Sequence, residues 1–386
     1  MRNEGRTRAE VLAELETRLG DDLTYASGRI LGSMISAPHP FAEDVYRRYL
    51  EKNVGDPGLF PATAAIEEEA VGMLGSLLSH PGARGNVVSG GNEANLLALW
   101  AAREERASRG RRVIVPSTAH CSYDKAGRLL GLEIVHVGLD SAFRLDIDAV
   151  RAALDERTIA LVGVAGSTDL GAVDPIEELS ALALEHDLHL HVDAAFGGFV
   201  LPFLAELGLP APAFDFALPG VSTITIDPHK MGLGVQPAGA ILFRTASLQE
   251  HVRVEIPYLA GGRTTQTTVT GTRPGAAVLA VWAMMRHLGR AGYRDVVRRC
   301  LDLTRHLAAR VREIDGVELA AEPILNIVGI RPTAVAVEVL GERLRRRGWA
   351  LGQFPTHLRV VLLPHLSARE IEPFLADLAR FARPGG

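Results

Sequence analysis

Two stretches of the sequence decide the fold, LHLHVDAAFGG (188–198) and STITIDPHKMG (222–232). Each begins with a mostly apolar run of the length of a buried β-strand and ends in ionisable residues and glycine. In open α/β sheets, ligands bind at the carboxyl ends of the strands. The two stretches therefore predict a sheet edge that presents Asp193 after one strand and Lys230 after another.

Apolar runs of strand length occur five more times, and helical patterns such as 93–109 and 176–187 separate most of them. This alternation is typical of a mainly parallel sheet with helices on both faces. A short Gly-rich loop joins the last two runs, which predicts that these two strands are antiparallel. The seven runs cover 86–90, 111–117, 133–138, 158–166, 188–195, 222–230 and 238–244.

The segments around this sheet predict three parts of the chain. Residues 1–60 begin with an amphipathic helix and continue into a loop that Pro38 and Pro40 keep from being helical. We assign 61–275 to a large α/β domain. We assign 276–386 to a linking helix and a small C-terminal α/β domain, because two further strand-like runs occur there.

Composition excludes several classes of protein. The 386 residues are 47% hydrophobic and 23% charged, as in a globular protein with a sizeable core. A net charge of −5 is too mild for a nucleic-acid surface, and no apolar run approaches the ~18 residues that span a bilayer. The charged N-terminus lacks an apolar signal core, so we expect a cytoplasmic protein. Cys121 and Cys300 form no CxxC pair, which argues against a metal site or disulfide framework.

Groups suited to catalysis or cofactor binding follow five of the predicted strands. The first strand runs into SGGNEAN (89–95), whose glycines open a helix and present N–H groups to an anion. Later strands lead to His120, Thr168, Asp193 and Lys230. Each feature alone has an ordinary explanation, such as a Gly-Gly turn, a packed histidine or a solvated loop lysine. For Lys230, the explanation as a solvated loop lysine is weakened because only three of the 41 basic residues are lysines.

Pyridoxal 5′-phosphate needs all of these groups at once. Its phosphate needs N–H donors, its ring nitrogen needs a carboxylate, and its aldehyde needs a lysine. A nicotinamide cofactor would instead need G-x-G-x-x-G after the first strand and an acidic residue about 20 positions later, a pattern that the sequence lacks. The sequence therefore predicts a pyridoxal-phosphate site.

The sequence resembles the group II pyridoxal-phosphate decarboxylases, and among them the archaeal L-tyrosine/L-aspartate decarboxylases. HVDAAFGG (191–198) and DPHKMG (227–232) are the most specific shared motifs. The resemblance implies fold type I of the pyridoxal-phosphate enzymes, the aspartate aminotransferase-like fold. It also implies decarboxylation of L-aspartate to β-alanine or of L-tyrosine to tyramine, with a role in coenzyme A biosynthesis. Further shared motifs are SAPHPFAEDVY, KNVGDPGLFPAT, SGGNEANLLAL, PAGAILF, TGTRPGA and LRVVLLPH.

The resemblance also implies the roles of individual residues at the cofactor. Lys230 forms the internal aldimine, His229 contacts the phosphate and Asp193 pairs with the ring nitrogen. His120 stacks on one face of the ring, and Ala195 packs against the other.

Three further residues match the family pattern around the phosphate and the substrate. Gly91 and Asn92 hold the phosphate, although the family usually has Ser or Thr where this chain has Asn92. Thr168 hydrogen-bonds near the ring hydroxyl or the substrate carboxylate.

Residues outside these motifs are candidates for the substrate. Arg359 could hold a carboxylate because its guanidinium matches one bidentately, although a surface strand arginine is the alternative. Arg263 or His39 could supply a second cation for aspartate, whereas the PHPF loop (38–41) could supply an aromatic slot for tyrosine. The sequence does not choose between these substrates.

The segment VEIPYLAGGRTTQTTVTGTRPGA (254–276) reads as a polar loop too long for a simple turn. In related decarboxylases this region crosses the dimer interface. We therefore expect a homodimer with shared active sites, in which Gly271 and Thr272 approach the partner's cofactor phosphate and Tyr258 or a nearby residue protonates Cα. The alternative is a surface loop ordered within its own subunit.

Other functions of the same fold fit the sequence less well. A carbon–carbon lyase for a phosphorylated amino alcohol would need extra basic residues for a second phosphate. A cysteine desulfurase is disfavoured because Cys121 adjoins His120 and Cys300 lies within a helix. A cofactor-free scaffold is disfavoured by the intact set of residues from Gly91 to Lys230.

Overall fold

The computed structural model describes residues 3–383, and its secondary structure alternates as the sequence predicts. The helices are α1 (Arg8–Arg18), α2 (Pro40–Arg48), α3 (Pro61–Leu77), α4 (Gly91–Glu105), α5 (Ser122–Leu130), α6 (Ile147–Ala153), α7 (Ile176–Glu185), α8 (Ala246–Glu250), α9 (Gly275–Arg312), α10 (Val337–Arg346) and α11 (Ala368–Phe381). The strands are β1 (Arg84–Val88), β2 (Arg112–Pro116), β3 (Glu133–Val137), β4 (Thr158–Val164), β5 (His189–Asp193), β6 (Val221–Ile226), β7 (Gly239–Phe243), β8 (Val254–Leu259), β9 (Gly262–Gln266), β10 (Val317–Leu319), β11 (Ile327–Pro332), β12 (Gly352–Gln353) and β13 (Leu358–Val361).

Seven of these strands form one sheet in the order β1-β7-β6-β5-β4-β2-β3. The strands from β6 to β3 in that order are parallel, and β7 is antiparallel to both of its neighbours. Every residue of β4 and β5 is buried, because helices cover both faces of the parallel part. The predicted fold class and the antiparallel last pair are thus confirmed.

The N-terminal helix α1 forms as predicted, with a capping box between Thr7 and Glu10. None of its residues is buried in the single chain. Its apolar stripe therefore stays exposed, with Val11, Leu12 and Leu15 between 44% and 48% accessible.

The C-terminal part carries a second, antiparallel sheet in the order β10-β11-β13-β12. Helix α9 connects it to the large sheet and changes direction at Gly289, whose φ of 55° and ψ of −173° are not helical. Strands β11 and β13 match the two predicted runs. Strands β10 and β12 were not predicted, since three and two residues are too few to show a periodicity. The predicted limits at residues 60 and 275 stay a prediction.

The segment 254–276 differs from the predicted loop. Its first half is a hairpin in which β8 pairs with β9 antiparallel, with Ile256 opposite Thr264. The β-branched residues of this segment favour strands, and this preference outweighs the glycines at 261–262, which form the turn.

Candidate active site

A cavity of about 470 Å³ lies at the carboxyl ends of the parallel strands, where the sequence predicts the site. It brings together eight of the predicted residues from separate strands and helices. These are Gly91, Asn92, His120, Thr168, Asp193, Ala195, His229 and Lys230.

Lys230 lies in the turn that follows β6, with its side chain 19% exposed. Its Nζ is 3.1 Å from Oδ2 of Asp227, a carboxylate that is 2% exposed. The Lys230 backbone is also fixed, because its N–H donates to the Asp227 carbonyl and its carbonyl accepts from Ser36 Oγ. The amine is therefore held at the cavity wall beside an opposite charge.

Three hydrogen bonds fix the carboxylate of Asp193 at the end of β5. Its Oδ2 accepts from Asn95 Nδ2 at 2.9 Å and from the Tyr123 hydroxyl at 3.2 Å, and its Oδ1 accepts from the Ala195 N–H at 3.1 Å. Burial, followed by the charge of Asp193, raises the pKa of Tyr123, so this phenol remains a donor. Donors on both oxygens stabilise the carboxylate and fix its orientation.

The two histidines of the cavity are uncharged near neutral pH. Burial lowers the pKa of His229, and its Nδ1 accepts from the Ala238 N–H at 3.1 Å, so Nε2 carries its proton. His120 has an exposed edge, yet partial burial lowers its pKa too. Its Nδ1 accepts from the Ser122 N–H at 3.2 Å, which again leaves the proton on Nε2. Both rings therefore offer an N–H donor without a charge.

Helix α4 begins against the cavity with Gly90 as its N-cap residue. Gly90 has a φ of 151° and a ψ of −178°, and an added Cβ would lie 3.1 Å from Cε1 of His229. Gly91 is also close-packed, since a Cβ there would lie 3.1 Å from Oδ2 of Asp227. The first-turn N–H groups of Gly91 and Asn92 have no partner within an α-helix, so they are available to an anion.

The guanidinium of Arg359 contacts the backbone of Thr168. The guanidinium of Arg359 donates to the carbonyls of Thr168 and Gly32 and is 8% exposed as a residue. Its Nε has no hydrogen-bond partner among residues 3–383. Arg359 is therefore one layer behind the cavity wall that Thr168 forms, and it is not the surface arginine of the alternative explanation.

The structure does not bring the other substrate candidates to this cavity within one chain. His39 caps α2 through Nδ1 and packs against His287 at 5.6 Å between ring centroids. Arg263 points to solvent on β9 and pairs with Glu255. Neither residue lines the cavity of its own chain, and the role of either as a second cation stays a prediction. His39 serves as the N-cap of α2, and Arg263 lies on the β8–β9 hairpin, outside the cavity.

The residues expected to serve a partner's site are exposed. Tyr258 on β8 is 80% exposed, and Gly271 and Thr272 lie in the irregular stretch after β9. Thr272 lines a smaller cavity of about 120 Å³ that shares Ser89 and Pro237 with the main one.

Sequence reasoning missed two residues that the site depends on. Asn95 lies one helical turn after Gly91 in α4, and this spacing signals that both face the sheet edge. Asp227 precedes Pro228 in the DPHK motif and contacts both Lys230 and, at 3.6 Å, His229 Nε2. The sequence signal for Asp227 was that His229 and Lys230 follow closely after it at the end of a buried strand.

Residues 3–383 contain neither a candidate membrane span nor a cluster of metal-ligating side chains. No helix there combines the length and the apolar character that crossing a membrane requires. In the same part of the chain, no three His, Cys, Asp or Glu side chains are grouped so that they could hold a metal ion.

The family model for the pyridoxal-dependent decarboxylase conserved domain matches residues 39–332. The chain belongs to the pyridoxal-dependent decarboxylase family. Its cofactor is accordingly pyridoxal 5′-phosphate and its reaction class is that of a carboxy-lyase, as predicted.

Curated relatives match over nearly the whole chain. A probable L-tyrosine/L-aspartate decarboxylase of Methanothermobacter thermautotrophicus is 49% identical over 92% of this chain and 98% of its own length. An L-aspartate decarboxylase of Thermococcus kodakarensis is 46% identical over 98% of both chains. An L-aspartate/L-glutamate decarboxylase of Pyrococcus horikoshii is 45% identical over 97% of both.

Solved structures show the same fold. A sphingosine-1-phosphate lyase of Burkholderia pseudomallei has a TM-score of 0.91 and 32% identity, covering 99% of this chain and 93% of its own. A glutamate decarboxylase of Lactobacillus brevis has a TM-score of 0.90 over 100% and 95%, but at 22% identity it shows the fold alone.

The cavity residues fit the family's cofactor. Two buried polar atoms in the cavity lining, Thr118 Oγ1 and Asp227 Oδ1, have no hydrogen-bond partner among residues 3–383. The helix N-terminus at Gly91 suits a phosphate, the fixed carboxylate of Asp193 suits a protonated ring nitrogen, and Lys230 suits an aldehyde.

We predict that Gly90→Ala weakens cofactor binding. The backbone conformation of Gly90 is essentially restricted to glycine, and a methyl group there presses on His229, a strain of about 1–3 kcal/mol. The apparent Kd for the cofactor, measured by absorbance titration, is expected to rise about tenfold or more. Gly72→Ala is the control, because a Cβ there meets no atom closer than 4.0 Å. Equal affinities of both variants and the wild type would contradict this view of the α4 N-terminus.

Proposed function

We propose that this chain decarboxylates L-aspartate to β-alanine, with pyridoxal 5′-phosphate held on Lys230. The observation that carries the proposal is the convergence of Lys230, Asp193, His120 and His229 with the α4 N-terminus on one cavity. Curated relatives named L-aspartate decarboxylases, such as the 46% identical protein of Thermococcus kodakarensis, support the substrate. We place the product in coenzyme A biosynthesis as part of the same proposal.

The residues that hold the cofactor follow from their positions. The N–H groups of Gly91 and Asn92 and the Nε2–H of His229 would bind the phosphate, because all three face one anion site at the helix start. The carboxylate of Asp193 would accept a hydrogen bond from the ring nitrogen and favour its protonated form. His120 would lie on one face of the ring and Ala195 on the other.

When bound, pyridoxal 5′-phosphate supplies an electron sink for the bond between Cα and the carboxylate that breaks. The chain's own residues set the conditions for that step. Asp193 keeps its orientation through hydrogen bonds from Asn95, Tyr123 and the Ala195 N–H. The uncharged His120 adds no positive charge that would compete with the ring nitrogen for Asp193.

Lys230 and Asp227 form the second part of the mechanism. Asp227 lies 3.1 Å from Nζ and would accept hydrogen bonds from the Lys230 amine whenever that amine is not bonded to the cofactor. Thr168 would contact the substrate carboxylate in the cavity, and Arg359 behind it would hold the Thr168 backbone and add a positive charge from the small sheet. Tyr258 would protonate Cα from the partner subunit.

Aspartate is favoured over tyrosine by the lining of the cavity. Phe196 is the only phenyl or phenol ring among the residues that line it, and this ring is 2% exposed. The aromatic residue of the PHPF loop, Phe41, instead packs against His287 at 4.9 Å between ring centroids. L-tyrosine remains the second candidate, because the relative in Methanothermobacter thermautotrophicus is named for both amino acids.

The test of the substrate is a panel of L-aspartate, L-tyrosine, L-glutamate and D-aspartate with the purified holoenzyme. We expect β-alanine from L-aspartate with a kcat/KM at least tenfold above that for any other member. A higher kcat/KM for L-tyrosine would contradict the proposal. A Lys230→Ala protein purified in parallel should release no CO₂, which excludes a contaminating enzyme. A phosphorylated amino alcohol in the same panel tests for carbon–carbon lyase activity, and aldehyde formation would also count against the proposal.

We further propose that the enzyme is a cytoplasmic homodimer with shared active sites. The exposed apolar stripe of α1 and the exposed Tyr258 support a partner surface. Thr272 lines a smaller cavity that shares Ser89 and Pro237 with the main cavity of the same chain. In a dimer, Thr272 of one chain would approach the phosphate site of the other.

Mixing two inactive variants tests the shared site. We expect Lys230→Ala and Thr272→Trp each to be inactive, and their mixed dimer to regain up to about half the activity per pair. The reason is geometric, since one of its two sites then receives an intact Lys230 and an intact Thr272. Activity is measured after subunit exchange has been shown by mass spectrometry.

A matched pair controls for this recovery. Lys230 and Asp193 line one cavity of the same chain, so Lys230→Ala mixed with Asp193→Asn should not recover. Failure of the first pair after proven exchange would favour the loop ordered within its own subunit.

A further inference from the structure

A continuous chain of buried hydrogen bonds runs beneath the active site, away from Asp193. Asn95 contacts His191, His191 contacts Thr223, Thr223 contacts His189, and His189 contacts Glu105. The successive distances are 3.1, 2.9, 2.9 and 2.9 Å. All but Glu105 are at most 1% exposed. Such a row of polar side chains is costly in a sheet core unless every group is satisfied.

The direction of these hydrogen bonds is set at Asp193. Asn95 Nδ2 lies 2.9 Å from the carboxylate of Asp193, which can only accept while it is ionised. The amide oxygen of Asn95 must therefore face the other way, towards Thr225 and His191. Since Oδ1 only accepts, Nε2 of His191 must carry a proton and donate it.

The next two links follow from the proton on His191 Nε2. Burial lowers the pKa of His191 to about 3, so its ring is neutral and Nδ1 has no proton. Nδ1 must accept from the hydroxyl of Thr223 at 2.9 Å. That hydroxyl has one proton, so its oxygen must accept from Nε2 of His189.

The chain ends at an ion pair. Nδ1 of His189 lies 2.9 Å from Oε2 of Glu105, a carboxylate that accepts, so His189 carries protons on both nitrogens. Burial works to raise the pKa of Glu105, but its hydrogen bond to His189 and the charges of His189, Arg106 and His251 lower it overall. Arg106 lies 3.7 Å from the other oxygen of Glu105. The imidazolium thus has an anion at its side.

We propose that Glu105, His189, Thr223, His191 and Asn95 form a positioning relay that fixes the charge and orientation of Asp193 and, through it, the protonation of the cofactor ring nitrogen. This proposal rests on the proposed role of Asp193. The five residues do not touch the substrate. They act because the Thr223 hydroxyl keeps the proton of His191 on Nε2, so a break at Thr223 weakens one of the two donors that hold the Asn95 oxygen, Thr225 being the other.

The decisive variant pair is Thr223→Val and Thr223→Ser in the holoenzyme. Valine has nearly the volume of threonine but no hydroxyl, so it breaks the relay, whereas serine keeps the hydroxyl. We expect Thr223→Val to lower kcat of the order of tenfold with little change in KM, and to shift the absorbance of the bound cofactor towards the form with an unprotonated ring nitrogen. Thr223→Ser should restore both. Equal kcat and equal spectra for the two variants would overturn the proposal.

Nitrogen NMR of histidine-labelled holoenzyme tests the proton pattern in the wild type, so the proposal stays testable if Thr223→Val fails to fold. We expect His189 to show two protonated nitrogens and His191 a neutral ring with its proton on Nε2. Glu105→Gln should remove the imidazolium pattern of His189, and Glu104→Gln, at the exposed neighbouring position, should not. Two neutral histidines in the wild type would overturn the relay.

These readouts separate the relay from the substrate proposal. The NMR pattern and the cofactor spectrum do not depend on which amino acid is decarboxylated. An enzyme that fails with L-aspartate but shows the predicted pattern refutes only the substrate. If the wild-type enzyme decarboxylates L-aspartate and the cofactor spectrum of Thr223→Val equals that of the wild type, only the relay is refuted.

Discussion

The register between β5 and β6 is the constraint on which the site depends. It places His191 opposite Thr223 and Asp193 opposite Thr225. Because side chains alternate along a strand, a slip of one residue would turn Asp193 away from the cavity and separate both histidines from Thr223. The same register brings the chain out of β6 beside Asp193 and so delivers Asp227 and Lys230 to the same edge.

The close approach of two backbone segments, β7 and the start of α4, also positions the site. A Cβ on Gly239 would lie 2.4 Å from Cα of Gly90, so β7 packs directly against the start of α4. That contact brings the helix N-terminus to the ends of β5 and β6, and the N–H of Ala238, the residue before β7, orients His229. Anion site, carboxylate and amine are thus positioned by buried elements, although each lies in or next to a turn.

The sequence allowed the strands and the eight cavity residues to be predicted, because both depend on local signals. Apolar runs predict the strands, and their order predicts which side chains meet at one edge. The relay was not predictable, since its contacts depend on a register that periodicity does not define. The positions of His39 and Arg263 were not predictable, because the direction of a loop or hairpin has no sequence signature. The roles proposed for Tyr258 and Thr272 would involve a second chain, and the single chain leaves both exposed.

The central claim is that Lys230 holds the cofactor, and borohydride reduction of the holoenzyme followed by peptide mapping tests it most directly. The chain has only three lysines. Lys52 pairs with Glu51 at 2.9 Å, and Lys125 lies exposed on α5. We predict a pyridoxyl label on the peptide that contains Lys230 and on no other. A label on Lys52 or Lys125, with Lys230 unmodified, would contradict the account.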